Sequence, residues 1–274
     1  MTKKITIVAS LALASSLVSG CISVDGGGRG RTVCPTSHSE LNSKFSRSWF
    51  TASTGIMLPV RIYCPTSHPS RPLPLVVYLH GAGQNGDDNE RQLDDGVGCL
   101  HAFTTSREDY NAVVAAPQCP SGVYWRDDSM LRALVEMIGS LSSVYFIDKE
   151  HIIVTGFSMG GDATWKLGLR DPSLMTTIVP VCGGPLESME PDIPEVPASM
   201  TSLNIWAFNN FDDGVVRPRY SKRIFAKLWN ADVGDHLNFT ESVAGGHSGS
   251  RVYASRDLLI WMLTVPKRQK PKAS

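Results

Sequence analysis

The feature that most constrains this chain is a series of short apolar runs, rich in Val and Ile and mostly without polar alternation. They occupy residues 75–79 (LVVYL), 112–116 (AVVAA), 152–157 (IIVTGF), 178–182 (IVPVC), 203–208 (LNIWAF) and 237–243 (LNFTESV). Such runs suit strands buried on both faces of a parallel sheet. Helix-period segments lie between them. Leu131, Leu134, Val135, Ile138, Leu141 and Tyr145 fall on one helical face. Tyr220, Ile224, Phe225, Leu228 and Trp229 form a second stripe, and Leu258, Leu259, Trp261, Met262 and Leu263 form a third. Strands alternating with helices predict right-handed βαβ units, hence an α/β fold with a mostly parallel, doubly wound sheet flanked by helices. Residues 56–63 and the segment before them are expected to add antiparallel edge strands.

Composition narrows the function. Hydrophobic residues make up 42% and charged residues 19% of the 274 residues, which excludes a mostly disordered chain, a rod and a multi-pass membrane protein. Lys+Arg and Asp+Glu are both 26, so no net positive charge is available for binding nucleic acid by phosphate neutralisation. No linker interrupts residues 34–265, which read as one domain.

The N-terminus carries targeting information. Lys3 and Lys4 precede a mostly apolar run over residues 5–18, and Ser19 and Gly20 follow, the layout of a signal peptide over residues 1–20. Val18-Ser19-Gly20-Cys21 resembles the lipobox of bacterial lipoproteins, in which the cysteine is lipidated and becomes the first mature residue. That resemblance implies an exported cell-envelope protein anchored to a membrane through Cys21, at the outer membrane or facing the periplasm. Residues 21–33 are Gly-rich and read as a flexible tether, and residues 266–274 as a basic, disordered tail. Export permits disulfides, but Cys34, Cys64, Cys99, Cys119 and Cys182 are odd in number, and their pairing is open. CPTSH occurs at 34–38 and again at 64–68. It reads as two turn-forming segments, with Cys34 and Cys64 candidates for proximity. No C-x-x-C spacing points to a metal site.

The chemistry collects at the ends of the predicted strands. Gly156-Phe157-Ser158-Met159-Gly160 is G-x-S-x-G, directly after a strand and before a helical segment, as a nucleophile elbow requires. Ser158 is the candidate nucleophile, and a serine at neutral pH needs a base. In this architecture the order is Ser, acid, His. Of the seven His, only His236 and His247 lie far enough downstream, and His236 precedes the last strand, at the wrong end of the sheet. His247, in the Gly-Gly-His-Ser loop after that strand, is the candidate base, and His236 reads as a surface residue. The acid should follow the 203–208 strand. Asp213 is the candidate because Asp213-Gly214-Val215-Val216 fits a D-x-x-V loop, with Asp212 the competitor. The 75–79 run ends in His80-Gly81-Ala82-Gly83, whose Ala82 N–H could join the Met159 N–H as an oxyanion hole. Gly81 and Gly83 are then candidate substrate contacts, and His80 a structural hydrogen-bonding residue. No metal or organic cofactor is needed for such a constellation.

These stretches, with 73–89, 116–125, 144–165 and 178–184, resemble the α/β-hydrolase superfamily. Within it they are similar to the bacterial phospholipase/carboxylesterase-like group, also described as predicted peptidases of the prolyl-oligopeptidase type. The resemblance implies a Ser158–Asp213–His247 triad and hydrolysis of carboxylic esters. It also implies a role for Trp125 in the pocket wall, with core packing the other reading. The family usually has His-Gly where this chain has Asn209-Asn210; Asn tolerates left-handed backbone, which would preserve the turn. The segment 184–203 carries four prolines and no long amphipathic helix, so an open site for short-acyl or polymer-linked esters is expected. The rival readings are a serine peptidase and a catalytically silent binding lipoprotein.

Overall fold

The structure, a computed structural model, describes residues 32–33, 35–65, 70–184, 195–230 and 236–268. The leader, Cys21, nearly all of the tether, Cys34, His68 and half of the 184–203 segment lie outside the described residues. Among the described residues eight strands form one sheet: β1 (Ser46–Thr51), β2 (Met57–Tyr63), β3 (Leu73–Leu79), β4 (Val113–Pro117), β5 (Ile147–Phe157), β6 (Thr177–Val181), β7 (Asn204–Asn210) and β8 (Leu237–Ser242). Their spatial order is β1-β2-β4-β3-β5-β6-β7-β8. β2 runs against both β1 and β4, and all other neighbours are parallel. From β3 the chain steps to β4 on one side and then returns to β5 on the other. This places a topological switch at β3 and β5, where open α/β sheets bind ligands beyond the carboxyl ends of the strands.

The continuous apolar runs are explained by helices on both faces. Leu75, Val77 and Leu79 of β3 enter one core with α3 (Asp128–Val144), α4 (Met159–Arg170) and α5 (Arg219–Asn230). Val76 and Tyr78 enter the other, with α1 (His38–Lys44), α2 (Val97–Thr104), α6 (Ser250–Tyr253) and α7 (Arg256–Thr264). Alternate residues of one strand thus serve two cores, and neither set can be polar.

Several boundaries differ from the sequence reading, each for a physical reason. α1 and α2 were not anticipated: nearly every residue of α2 is buried, so it shows no apolar stripe. β5 begins at Ile147, because its polar first half pairs with the start of β3 across a register shift. β7 runs on through Asn209 and Asn210, which pair with Glu241 and Ser242, and neither Asn adopts positive φ. The left-handed turn allowed for there is not used. Two residues before Cys34 also join the fold: Thr32 bridges to Ser255, and the Val33 N–H donates to Ala254 O at 2.8 Å. The tail is held through its first three residues. Asn204 Nδ2 donates to Pro266 O at 3.0 Å, Lys267 pairs with Glu150, and Arg268 donates to Thr201 O. His236, expected at the surface, is half-buried against Arg268 Nη1 at 2.6 Å.

Among the described residues Cys64, Cys119 and Cys182 are free thiols; Cys64 is exposed and the other two are buried, as is Cys99. In the folded protein a maleimide is expected to label Cys64 at once, and Cys119 and Cys182 only after denaturation. Mass mapping of labelled peptides checks this; equal labelling of all three without denaturant would contradict the packing of both cores.

Candidate active site

Four strand ends converge. Ser158 sits between β5 and α4 with φ 56° and ψ −114°, a conformation that costs a non-Gly residue about 1–3 kcal/mol. Close backbone packing holds it there. A Cβ on Gly160 would lie 1.9 Å from Leu79 O, and one on Gly156 would lie 2.5 Å from the backbone of Gly160. Only glycine lets α4 approach the ends of β3 and β5 this closely. The Ser158 N–H donates to Val181 O at 2.9 Å, and Asp162 N–H closes the first helical turn on Ser158 O at 2.9 Å.

His247, after β8, lies with Nε2 2.8 Å from Ser158 Oγ and Nδ1 2.8 Å from Asp213 Oδ2. Phe157, the variable residue before the serine, packs against the imidazole with ring centroids 5.0 Å apart. Asp213 is buried, and its Oδ1 accepts the N–H groups of Val215 and Val216, both at 2.9 Å. Those two bonds explain the D-x-x-V spacing: the loop folds back on its own carboxylate and compensates its burial. Asp212 does not reach the imidazole. Its carboxylate accepts the N–H of Gly246 at 2.8 Å and of Gly245 at 3.2 Å, contacts that hold it below the usual carboxylate range.

Ala82 and Met159 each open a helical turn, where the N–H has no intrahelical acceptor. Gly81 lies against Ser158: a Cβ on it would sit 3.5 Å from Ser158 Cβ. Gly83 is exposed, with open space where a Cβ would be. His80 is fully buried, and its Nε2 accepts the Cys119 N–H at 2.9 Å, so the ring proton is on Nδ1, which donates to Gly81 O at 2.6 Å. Because a trans peptide directs its C=O and N–H oppositely, fixing Gly81 O also fixes the direction of the Ala82 N–H. Trp125 requires a correction. It is wholly buried and presents no surface to a pocket; its Nε1 donates to His80 O at 3.2 Å, behind the loop. Gln118 gave no sequence signal, yet it ties this loop to β4 by donating to Gln84 O at 3.1 Å and Asp88 Oδ1 at 2.9 Å. Cys182 lies beneath the acid. Burial and the neighbouring Asp213 push its thiol up to about 12, so it stays protonated. Among the described residues no group of three or more His, Cys, Asp or Glu side chains is placed to hold a metal ion.

Burial pushes His80 down to about 4, against an ordinary value of 6.5. The unfolded chain takes up this proton near pH 6.5 while the folded chain refuses it until about pH 4. Stability is therefore lost as pH falls through that window, on the order of 3 kcal/mol from this residue. Urea unfolding at pH 7 and pH 4.5 should show a smaller acid loss for His80→Gln than for the parent. Equal losses would mean that His80 is not the buried neutral group described.

No protein-family model matches this sequence. The chain is 26% identical over 190 residues to a poly(3-hydroxybutyrate) depolymerase from Ralstonia pickettii, a match spanning 61% of this chain and 37% of that protein. A thermostable esterase of known structure superposes with a TM-score of 0.71 at 30% identity, covering 81% of this chain and 63% of the other. An S-formylglutathione hydrolase from Staphylococcus aureus superposes with a TM-score of 0.58 at 14% identity over 80% of this chain and 98% of that one, a likeness of fold alone. The chain thus spans less than two thirds of the depolymerase and of the thermostable esterase. The sheet order with its switch at β3 and β5, the strained serine after β5 and these similarities together show that the chain has the α/β-hydrolase fold of the esterases it resembles.

Proposed function

We propose that this protein hydrolyses carboxylic esters through an acyl-enzyme, with Ser158 as nucleophile, His247 as general base and acid, and Asp213 as the buried partner of the imidazole. The observation that carries the proposal is the unbroken series Ser158 Oγ, His247 Nε2, His247 Nδ1, Asp213 Oδ2, with 2.8 Å at each hydrogen bond. His247 Nε2 takes the hydroxyl proton as Ser158 Oγ bonds to the acyl carbon. The oxyanion that forms accepts hydrogen bonds from the N–H groups of Ala82 and Met159, with the N-terminus of α4 aimed at the developing charge. His247 then returns the proton to the departing alkoxide. Water, activated by the same nitrogen, releases the acid and regenerates the serine. Asp213 accepts from Nδ1–H throughout, fixing the tautomer and stabilising the imidazolium.

Two things support a short-acyl or polymer-linked ester as the substrate: the four prolines of segment 184–203, and the relative acting on poly(3-hydroxybutyrate), a polyester. The expected outcome is turnover of p-nitrophenyl acetate and butyrate exceeding that of the decanoate, with release of acid from a polyester film. Ser158→Ala should lower kcat/KM by about 10⁴-fold or more, and Asp213→Asn by about 10³-fold or more. Cleavage of a peptide p-nitroanilide without ester turnover would assign a peptidase instead. No turnover of any substrate by folded protein would leave a binding role.

The lipobox-like tetrapeptide supports export and lipid anchoring at Cys21. Cys21→Ser is expected to move the protein from the membrane fraction to the soluble one in cells. Unchanged membrane association would place the anchor elsewhere.

A further inference from the structure

The loop that carries His247 has little structure of its own. It contains Gly245 at φ 159° and Gly246 at φ 56°, lies between β8 and α6, and leaves Gly245 and Ser248 exposed. Two glycines in succession make such a segment mobile unless something outside it fixes its peptides. Besides the Cys182 thiol, which donates to Ser248 O at 3.6 Å, the groups that do so come from the segment that carries the acid. Asn210 Nδ2 donates to Gly246 O at 2.8 Å and to Ser248 O at 3.0 Å, and lies 3.7 Å from Cys182 Sγ. Facing two carbonyl oxygens, the amide can only present its NH₂. Asp212 binds the other edge, accepting from the Gly245 and Gly246 N–H groups through both carboxylate oxygens. A donor and an acceptor, two residues apart in sequence, thus grip the peptides on both sides of His247. The fit at Gly245 is close: a Cβ there would lie 2.8 Å from Asn210 Cγ.

We propose that Asn210 and Asp212 are positioning residues that clamp the His247 loop and set the imidazole between Ser158 and Asp213. The proposal rests on the triad described above. It assigns Asp212 a task distinct from that of the acid beside it, and gives Asn210 the task of holding two carbonyls of the loop. The clamp makes acid and base one unit, because Asn210, at the end of β7, and Asp212 and Asp213, just after it, all hold the same loop. A misplacement of about 1 Å at a reacting group can lower a rate by about 10²-fold.

The test uses the full chain with p-nitrophenyl butyrate, and follows covalent labelling of Ser158 by a fluorophosphonate, which reads activation of the serine without deacylation. Asp212→Ala and Asn210→Ala should each lower kcat by about 10- to 100-fold, with KM within about threefold and with labelling slowed in parallel. Asn210→Asp, equal in volume, should be worse than Asn210→Ala, because it turns an acceptor toward two carbonyl oxygens. If Asn210 only filled space, the order would reverse. In a His247→Ala background, Asn210→Ala should leave the residual rate unchanged, since a residue acting through His247 has nothing left to position. Asp212 is exposed, so its variant tests the clamp even where Asn210 variants fold poorly. Values of kcat within twofold of the parent for Asp212→Ala and the folded Asn210 variants, or additive losses with His247→Ala, would overturn the clamp. Full activity in His247→Ala alone would instead overturn the triad reading.

Discussion

The site depends on one contact between backbones. α4 meets the ends of β3, β5 and β6 with no side chains between them: a Cβ on Gly160 would fall 1.9 Å from Leu79 O, and one on Gly183 would fall 2.3 Å from Gly161 C. That approach makes the turn at Ser158 sharp enough to force φ to 56°, lifts the hydroxyl out of the sheet, and brings the N-terminus of α4 beside the loop after β3. The strain of about 1–3 kcal/mol persists because the surrounding packing over-determines it. Trp165 of α4 donates to Ser221 Oγ at 3.0 Å and Ser221 donates to Gly183 O at 2.8 Å, so α5 fixes the same junction from behind.

Around that contact, the loops that complete the site are held by polar groups, all but Asp212 of them buried. Asn89, Gln92, Gln118 and Arg61 are all wholly buried on the side of the loop following β3. The Asn89 N–H donates to Gln118 Oε1 at 2.8 Å, and Arg61 donates to Asn89 O at 3.2 Å. His80 and Trp125 fix the first residues of that loop, Gln118 and Asn89 its middle. On the far side, Asn210 and Asp212 grip the loop after β8. Networks of this kind are costly when partly satisfied and directional when satisfied. They therefore suit segments whose peptide planes matter more than their surface, such as the Gly81–Ala82 peptide.

The strands were legible because their environment is simple. A strand covered on both faces has no position for a polar residue, so β3, β4 and the second half of β5 stand out. That Ser158 and His247 would meet was legible because the elbow needs glycine at fixed positions and because only His247 follows the last strand closely. α2 was not legible, since a helix buried on almost every side loses its periodicity. Trp125 was misplaced for a related reason. An aromatic residue beside a predicted loop carries no mark of whether it faces a pocket or the core, and its indole N–H found a buried carbonyl. Asp212 and Asp213 are neighbours of identical chemistry, so no local pattern separates them with certainty. The direction each side chain takes is set by where the Gly245–His247 segment passes.

The class of fold, the order of the strands along the chain and the residue types standing at each strand end can be read from the amino-acid order. These follow from local rules of burial, period and turn chemistry that act within a few residues. Which carboxylate meets the imidazole, which carbonyls Asn210 holds, and that His80 binds a loop carbonyl are settled by long-range contacts. Each rests on a contact between segments at least 30 residues apart in sequence or on a choice between adjacent equivalents. The hydrogen bonds that settle them exist only once the sheet has brought the strand ends together.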